Sequence, residues 1–470
     1  MKFYDRDKEL KHIKNLIKSD FSELVYIYGR RRIGKTKLIL ESLKKTKFLY
    51  FFVADKTYTQ LLEDFEEVLR LNNIEVPSFK NFRQFFGFLV KYLAPQWYVF
   101  VFDEFQNFYR IDKSVYSDFQ YIWDLNYEQQ KIKVFVLGSM FSLLKKIFEW
   151  YKSPLYGRAT SKIWLKPFDR QTQAEILNDY NLLTPYNLTY IYSIFWGVPK
   201  YLQIMLQQLA LQDGLSNDLL SFVLDIYFEE NSFFLPEARE ILALEFGKSY
   251  EIYFSILASI AVGKNRRNQI AQYVGISEDS IWFYLQNLIK TFQIVKKVHS
   301  IQPSWFWRFA RYDISDLFFK FWFRYVFKYN FLIESRQWDR LKKFIAKDIN
   351  TYLGSAFEDL MREVLLDLNT QNRLPFEIDR LGKFFTKNWQ IEIDLVGVND
   401  KQKKVLFLEC KLNSKKISKS VIKNLKDKVQ QSGKFFEWKK YFWICTLNQL
   451  SNKILKNLQA DYILSLEEVL

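Results

Sequence analysis

The chain has 470 residues, 49% of them hydrophobic and 19% aromatic, and a formal charge of +16. That length and apolar content suit about three domains with their own cores. Two Cys and two His exclude a disulfide framework or a zinc site, and neither an apolar leader nor an uncharged apolar run of about eighteen residues occurs, so a soluble cytoplasmic protein that does not enter a membrane is expected.

The first strong element is an apolar strand at 24–28 that runs into Gly29-Arg30-Arg31-Arg32-Ile33-Gly34-Lys35-Thr36, the Gly-x-x-x-x-Gly-Lys-Thr pattern. Glycine at the two fixed positions lets successive N–H groups point at phosphate oxygens. Lys35 then neutralises the β- and γ-phosphates, and Thr36 offers a hydroxyl to Mg²⁺. The expected ligands are ATP or GTP with Mg²⁺, held by Gly29, Arg30, Arg31, Arg32, Ile33, Gly34, Lys35, Thr36 and Lys37.

A further strand is read at 48–53. The run 97–102 is apolar throughout, as in a strand buried on both faces, and ends in Asp103-Glu104. After a phosphate loop, such a pair divides its work: Asp103 holds the Mg²⁺ shell and Glu104 polarises the attacking water. The next buried strand, 134–137, leads through Gly138 to Ser139, which takes a sensor position near the γ-phosphate. Residues 1–165 therefore read as a parallel α/β ATPase core.

Residues 166–245 read as a helical lid, broken at Gly197-Val198-Pro199. From 246 to 310, two helices about Gly275, a Ser277 cap and the run Ile294-Val295-Lys296-Lys297-Val298 resemble a winged helix. Bridging helices follow at 311–350. There Lys320, Arg324 and Lys328 recur every four residues, beside Phe319, Phe323 and Phe327.

Residues 351–470 form a last α/β domain with a second set of chemical groups. A strand at 389–396 carries Asp394, and a neighbour at 405–412 carries Glu409 and Lys411 on one side, because strand side chains repeat every two residues. Asp394 and Glu409 would hold Mg²⁺ while Lys411 orients or helps deprotonate a water for phosphodiester attack. Glu358, read as opening a helix just upstream, adds a carboxylate. The triplet Glu437-Trp438-Lys439 has the same spacing without the apolar strand. From residue 401 onward the chain has fifteen Lys and no Arg against six acidic residues, a surplus of nine, which is the footprint of a polyanion partner. Nucleic acid, most simply DNA, is the expected partner. Glu278 and Asp279 would repel phosphates from the helix that they open.

Phe3-Tyr4-Asp5-Arg6-Asp7-Lys8-Glu9-Leu10, the phosphate loop, Asp103-Glu104, Gly138-Ser139, Ser153-Pro154-Leu155-Tyr156-Gly157-Arg158 and Gly197-Val198-Pro199 together resemble the archaeal ATPase family of the AAA+/STAND group. The C-terminal part is similar to the PD-(D/E)XK nuclease-like, restriction-endonuclease-like domain that often follows such an ATPase. The resemblance implies that Arg158 stabilises the γ-phosphate, across a subunit boundary in a homo-oligomer, and that Arg6 and Glu9 lie beside the base. Two departures stand out: Lys200 follows the Gly-x-Pro where relatives tend to have Arg, and no Pro precedes Asp394. The implied function is an ATPase that couples nucleotide turnover to nucleic-acid binding or cleavage, the alternative being a nucleotide-switched regulator that does not cut.

Overall fold

A computed structural model describes residues 2–211, 218–301, 310–386, 390–413, 417–450, 458 and 460–470. Its packing divides the chain into two compact units, Lys2–Pro167 with Val198–Lys200, and Phe168–Gly197 with Tyr201–Leu470.

The first unit is built on five parallel strands: β1 (Glu23–Tyr28), β2 (Phe48–Phe52), β3 (Val99–Asp103), β4 (Lys133–Gly138) and β5 (Ser161–Trp164), in the order β2-β3-β4-β1-β5. Every residue of β1, β3 and β4 is buried, which is why these strands read as unbroken apolar runs. Side chains alternate between two cores. Tyr26, Phe51, Phe85, Phe102 and Phe119 belong to an aromatic core, and Val25, Ile27, Leu38, Val101 and Leu137 to a mainly aliphatic one. β4 lies between β1 and β3, and Tyr28 pairs with Gly138. The three strand ends that matter therefore finish side by side. The edge strand β5 lacks an apolar run, because only one of its four residues is buried.

The second unit begins with helices, then places helices Arg267–Val274 and Glu278–Lys290 before an antiparallel pair, β6 (Val295–Val298) and β7 (Arg311–Ile314). Gly275 closes the first of these helices with φ 79°, and the Ser277 hydroxyl caps the second by accepting from Ser280 N. The expected boundary after 310 separates two paired strands, because β7 completes the hairpin. Two of the three regularly spaced charges are not free: Lys320 donates to Asp313 at 2.9 Å and Arg324 grips Asp348 with two bonds of 2.6 and 2.7 Å. A π-helical turn at Phe323–Phe327 also breaks their four-residue phase.

The last sheet contains β8 (Arg380–Phe385), β9 (Glu392–Asn399), β10 (Lys404–Lys411), β11 (Lys439–Thr446) and β12 (Tyr462–Ser465), in the order β12-β11-β10-β9-β8. β8 to β10 run antiparallel, and β10 to β12 parallel, with helix Lys419–Gln431 as the crossover between β10 and β11. Three expectations change here. Helix Trp338–Thr370 is continuous for 33 residues, so the boundary expected at 350 falls inside one helix and Glu358 lies deep within that helix instead of opening one. Leu341, Ile345, Ile349, Tyr352, Ala356, Leu360 and Val364 keep one buried stripe throughout, and this outweighs a cost of about 1 kcal/mol for Gly354. The strand expected at 389–396 runs over Glu392–Asn399, with Trp389 outside the described residues.

Candidate functional site

The loop between β1 and helix Lys35–Ser42 has the shape its glycines require. A Cβ on Gly29 would lie 2.5 Å from the Leu165 carbonyl oxygen, and Gly34 has φ 92° with open space where its Cβ would be. Arg6 donates to the neighbouring Lys166 carbonyl at 2.5 Å and so holds the chain that presses on Gly29. Arg30, Arg31 and Arg32 are half-buried around the turn, Ile33 is in the aliphatic core, and Lys37 lies over the Phe3 ring. The Lys35 ammonium folds across the loop, donating to the carbonyls of Gly29 at 2.9 Å and Arg30 at 3.1 Å.

Because β4 separates β1 from β3, the hydroxyl of Thr36 and the carboxylate of Asp103 meet over the end of β4. Thr36 Oγ1 donates to Asp103 Oδ2 at 2.7 Å, Tyr50 donates to the same oxygen at 2.5 Å, and the Glu104 N–H donates to Oδ1 at 2.8 Å. Burial and the bond to Asp103 push the Tyr50 phenol well above its ordinary range, so it remains a donor. Sequence reasoning missed Tyr50. Its only signal is a hydroxyl in the apolar β2 run, one strand away from Asp103.

Glu104 has φ 53°, which turns it off the end of the strand. Its Oε2 accepts from Ser139 Oγ at 2.7 Å and from Gln106 Nε2. Gln106 is 1% exposed, its Oε1 has no hydrogen-bond partner among the described residues, and it too went unpredicted. Ser139, expected at the sensor position, therefore touches the carboxylate expected to act as base.

Arg158 is placed differently. Its guanidinium clasps Asp124 with bonds of 2.8 and 2.7 Å and donates to the Pro154 and Tyr156 carbonyls. These contacts tie it to its own loop and to helix Ser114–Asn126, not to Lys35, Asp103 or Glu104.

In the second unit, β9 and β10 pair through Leu395 and Leu408, which leaves Asp394 and Glu409 as the next residues along each strand. Asp394 Oδ2 accepts from Cys410 N at 2.8 Å. Glu409 accepts from Lys411 at 2.9 Å and from Lys428 at 3.3 Å, while Glu358 is bound by Lys383. Burial, then the charges of Glu358 and Glu409, push the Asp394 carboxyl up to about 7; burial also raises Glu358. The sequence thus placed Asp394 and Glu409 on adjacent strands, as the sheet has them, but missed Lys383 and the bond from Lys428. Among the described residues no group of three or more His, Cys, Asp or Glu is arranged to hold a metal. Glu437 and Lys439 are exposed. On helix Glu278–Lys290, Glu278 pairs with Arg267 at 2.9 Å, and Trp282 and Phe283 are exposed.

Residues 3–205 match an ATPase domain found predominantly in Archaea, and residues 322–425 match the family described as Archaea bacterial proteins of unknown function. The chain is 32% identical over 416 residues to the uncharacterized protein MJECL04 of Methanocaldococcus jannaschii, covering 87% of each. It is also 26% identical over 297 residues to the uncharacterized ATP-binding protein PYRAB12000 of Pyrococcus abyssi, covering 57% of this chain and 90% of that one. Among solved structures, the Walker-type ATPase PABY2304 of Pyrococcus abyssi aligns with a TM-score of 0.51 at 22% identity, over 68% of this chain and 96% of that one. That likeness is one of fold: an α/β sheet of the phosphate-loop NTPase type. No helix among the described residues is long and apolar enough to cross a membrane.

Proposed function

We propose a function for this chain from its family and its two sites: it belongs to the same family as the uncharacterized protein MJECL04 of Methanocaldococcus jannaschii, and its residues 3–205 match an ATPase domain found predominantly in Archaea. Its first unit binds ATP with Mg²⁺ and hydrolyses it, and nucleotide turnover controls how the second unit engages nucleic acid. The observation that carries this reading is the Thr36 to Asp103 bond, since hydroxyl and carboxylate meet beside Lys35 and a loop of N–H groups. This donor set fits a triphosphate and Mg²⁺: open space above Gly34 leaves room, and hard oxygen ligands suit the ion. When bound, Mg²⁺ would supply charge neutralisation at the phosphates. Lys35 exchanges its loop carbonyls for phosphate oxygens, Asp103 and Thr36 hold the ion, and Glu104 takes the proton of the attacking water. With Oε2 held by Ser139 and Gln106, Oε1 would take that proton.

In the second unit, where no three carboxylates converge among the described residues, Asp394 and Glu409 would hold a divalent ion for phosphodiester cleavage once their lysine partners withdraw, with Glu358 adding a carboxylate and Lys411 beside the water. The module of Arg267–Val274, Glu278–Lys290 and the β6/β7 hairpin is then a winged helix, Arg158 acts across a subunit boundary of a homo-oligomer, and the lysine-rich last seventy residues hold DNA. The reading is tested by assaying ATP turnover with and without DNA, and Mg²⁺-dependent DNA cleavage with and without ATP. Absence of ATP turnover overturns the first part, and absence of cleavage the second. One observation favours a non-cleaving regulator: Glu358 and Glu409 are already matched by lysines.

A further inference from the structure

The pairing of β8 with β9 slips by one residue at the acidic cluster. Gly382 faces Val396, yet Phe384 faces Ile393, so Lys383 alone stands opposite both Asp394 and Leu395. An extra residue on one strand kinks it and re-aims its side chains, and such bulges concentrate beside functional sites. Here the bulge puts Asp394 and Lys383 across from each other.

Lys383 is also fixed from behind. Its carbonyl accepts from Ile301 N at 2.8 Å, and the neighbouring Phe385 exchanges two bonds with the Ser300 hydroxyl, 3.0 and 3.1 Å long. From this position the ammonium binds Glu358 on the long helix and lies 3.9 Å from Glu392. Its charge also acts on Asp394. One lysine thus serves carboxylates from a helix and a strand, which is the arrangement that a small cation would otherwise provide.

The charge balance of the cluster follows. Glu358, Glu392, Asp394 and Glu409 face Lys383, Lys411 and Lys428, and Asp394 accepts a backbone N–H in place of an ammonium. Among the described ion pairs, Lys411 and Lys428 are both bound to Glu409, while Lys383 is the ammonium bound to Glu358 and near Glu392, on which Arg311 also acts. A divalent ion drawn to Asp394 and Glu358 meets a positive charge already in its place. Close approach of like charges without a compensating anion is strongly unfavourable.

We propose that Lys383, aimed by the β9 bulge, occupies the cation position between Glu358, Glu392 and Asp394, so that divalent-metal binding at this site is an exchange of metal for the Lys383 ammonium. This rests on the reading of the cluster as a metal site. The flexible four-carbon stem lets the ammonium withdraw from Glu358 without moving β8, whose backbone stays tied to Ser300 and Ile301.

The test is calorimetric titration of the full chain with Mn²⁺, in an Asp103→Asn background so that the first unit is silent. Lys383→Met should bind one Mn²⁺ at least tenfold more tightly than the parent. Lys383→Arg, whose fork can hold Glu358 and Glu392 together, should bind more weakly. Adding Asp394→Asn to Lys383→Met should remove the gain, and circular dichroism shows that each variant is folded. Equal affinity in the parent, Lys383→Met and Lys383→Arg overturns the exchange but leaves the metal site standing. Absence of Mn²⁺ binding in all of them, Lys383→Met included, overturns the metal reading as well.

Discussion

Ser139 Oγ donates to Glu104 Oε2 at 2.7 Å, across two strand ends that are neighbours because β4 pairs with β3. Gln106 donates to the same oxygen. Ser139→Ala and Gln106→Leu should therefore lower kcat for ATP about tenfold each while KM moves little, since both act on the base and not on the phosphates. Steady-state phosphate release checks this; a rise in KM at constant kcat would instead place Ser139 on the nucleotide.

Lys35→Ala should abolish binding of a fluorescent ATP analogue, because the loop has no other ammonium that reaches its carbonyls at Gly29 and Arg30 among the contacts described. Glu104→Gln should bind the analogue normally and slow hydrolysis by about 10²- to 10⁴-fold, the usual contribution of a general base. Equal loss of binding in both variants would show that the two residues do not divide binding from chemistry.

Tyr50→Phe removes one of the three bonds described to the Asp103 carboxylate. It should weaken Mg²⁺-dependent ATP affinity by about 1 kcal/mol and leave affinity measured in EDTA unchanged. An equal loss in EDTA would make Tyr50 a purely structural residue.

Asp394 has a carboxyl raised from 3.8 to about 7 in the folded chain. The native state then binds more protons than the unfolded state between about pH 4 and pH 7, so stability falls as pH rises through that window. In EDTA, Asp394→Asn should stabilise the chain at pH 8 by on the order of 1 kcal/mol and give almost no gain at pH 4. Thermal unfolding at the two pH values measures the difference, and a gain independent of pH would point to packing.

Arg158 and Asp124 form a clasp at a partly exposed site, worth under about 1 kcal/mol to folding. Arg158→Ala should hence leave the unfolding midpoint nearly unchanged. If Arg158 serves a neighbouring protomer, parent turnover per chain should rise with protein concentration and the variant's should not. Flat concentration dependence in both would confine Arg158 to its pair with Asp124.

The sequence by itself determined the phosphate loop and its companions. Gly29, Gly34, Lys35 and Thr36 are fixed by local backbone demands, and Asp103 ends, and Ser139 follows, a strand buried on both faces, which leaves an unbroken apolar run. That Asp394 and Glu409 sit on adjacent strands was legible for a similar reason, since two-residue periodicity sets the face of each side chain. Strand order is not local, however. That β4 separates β1 from β3, and so sets Ser139 against Glu104, depends on which strands meet in the folded sheet. Tyr50, Gln106 and Lys383 carry no motif, because each becomes relevant through a neighbour that is distant in sequence or through a bend that takes it off the regular face. Glu358 was misplaced at a helix start because a charged residue after an apolar pair looks the same at a terminus as within a 33-residue helix. Only the packing of that helix against the β-strands decides which of its residues meet the site.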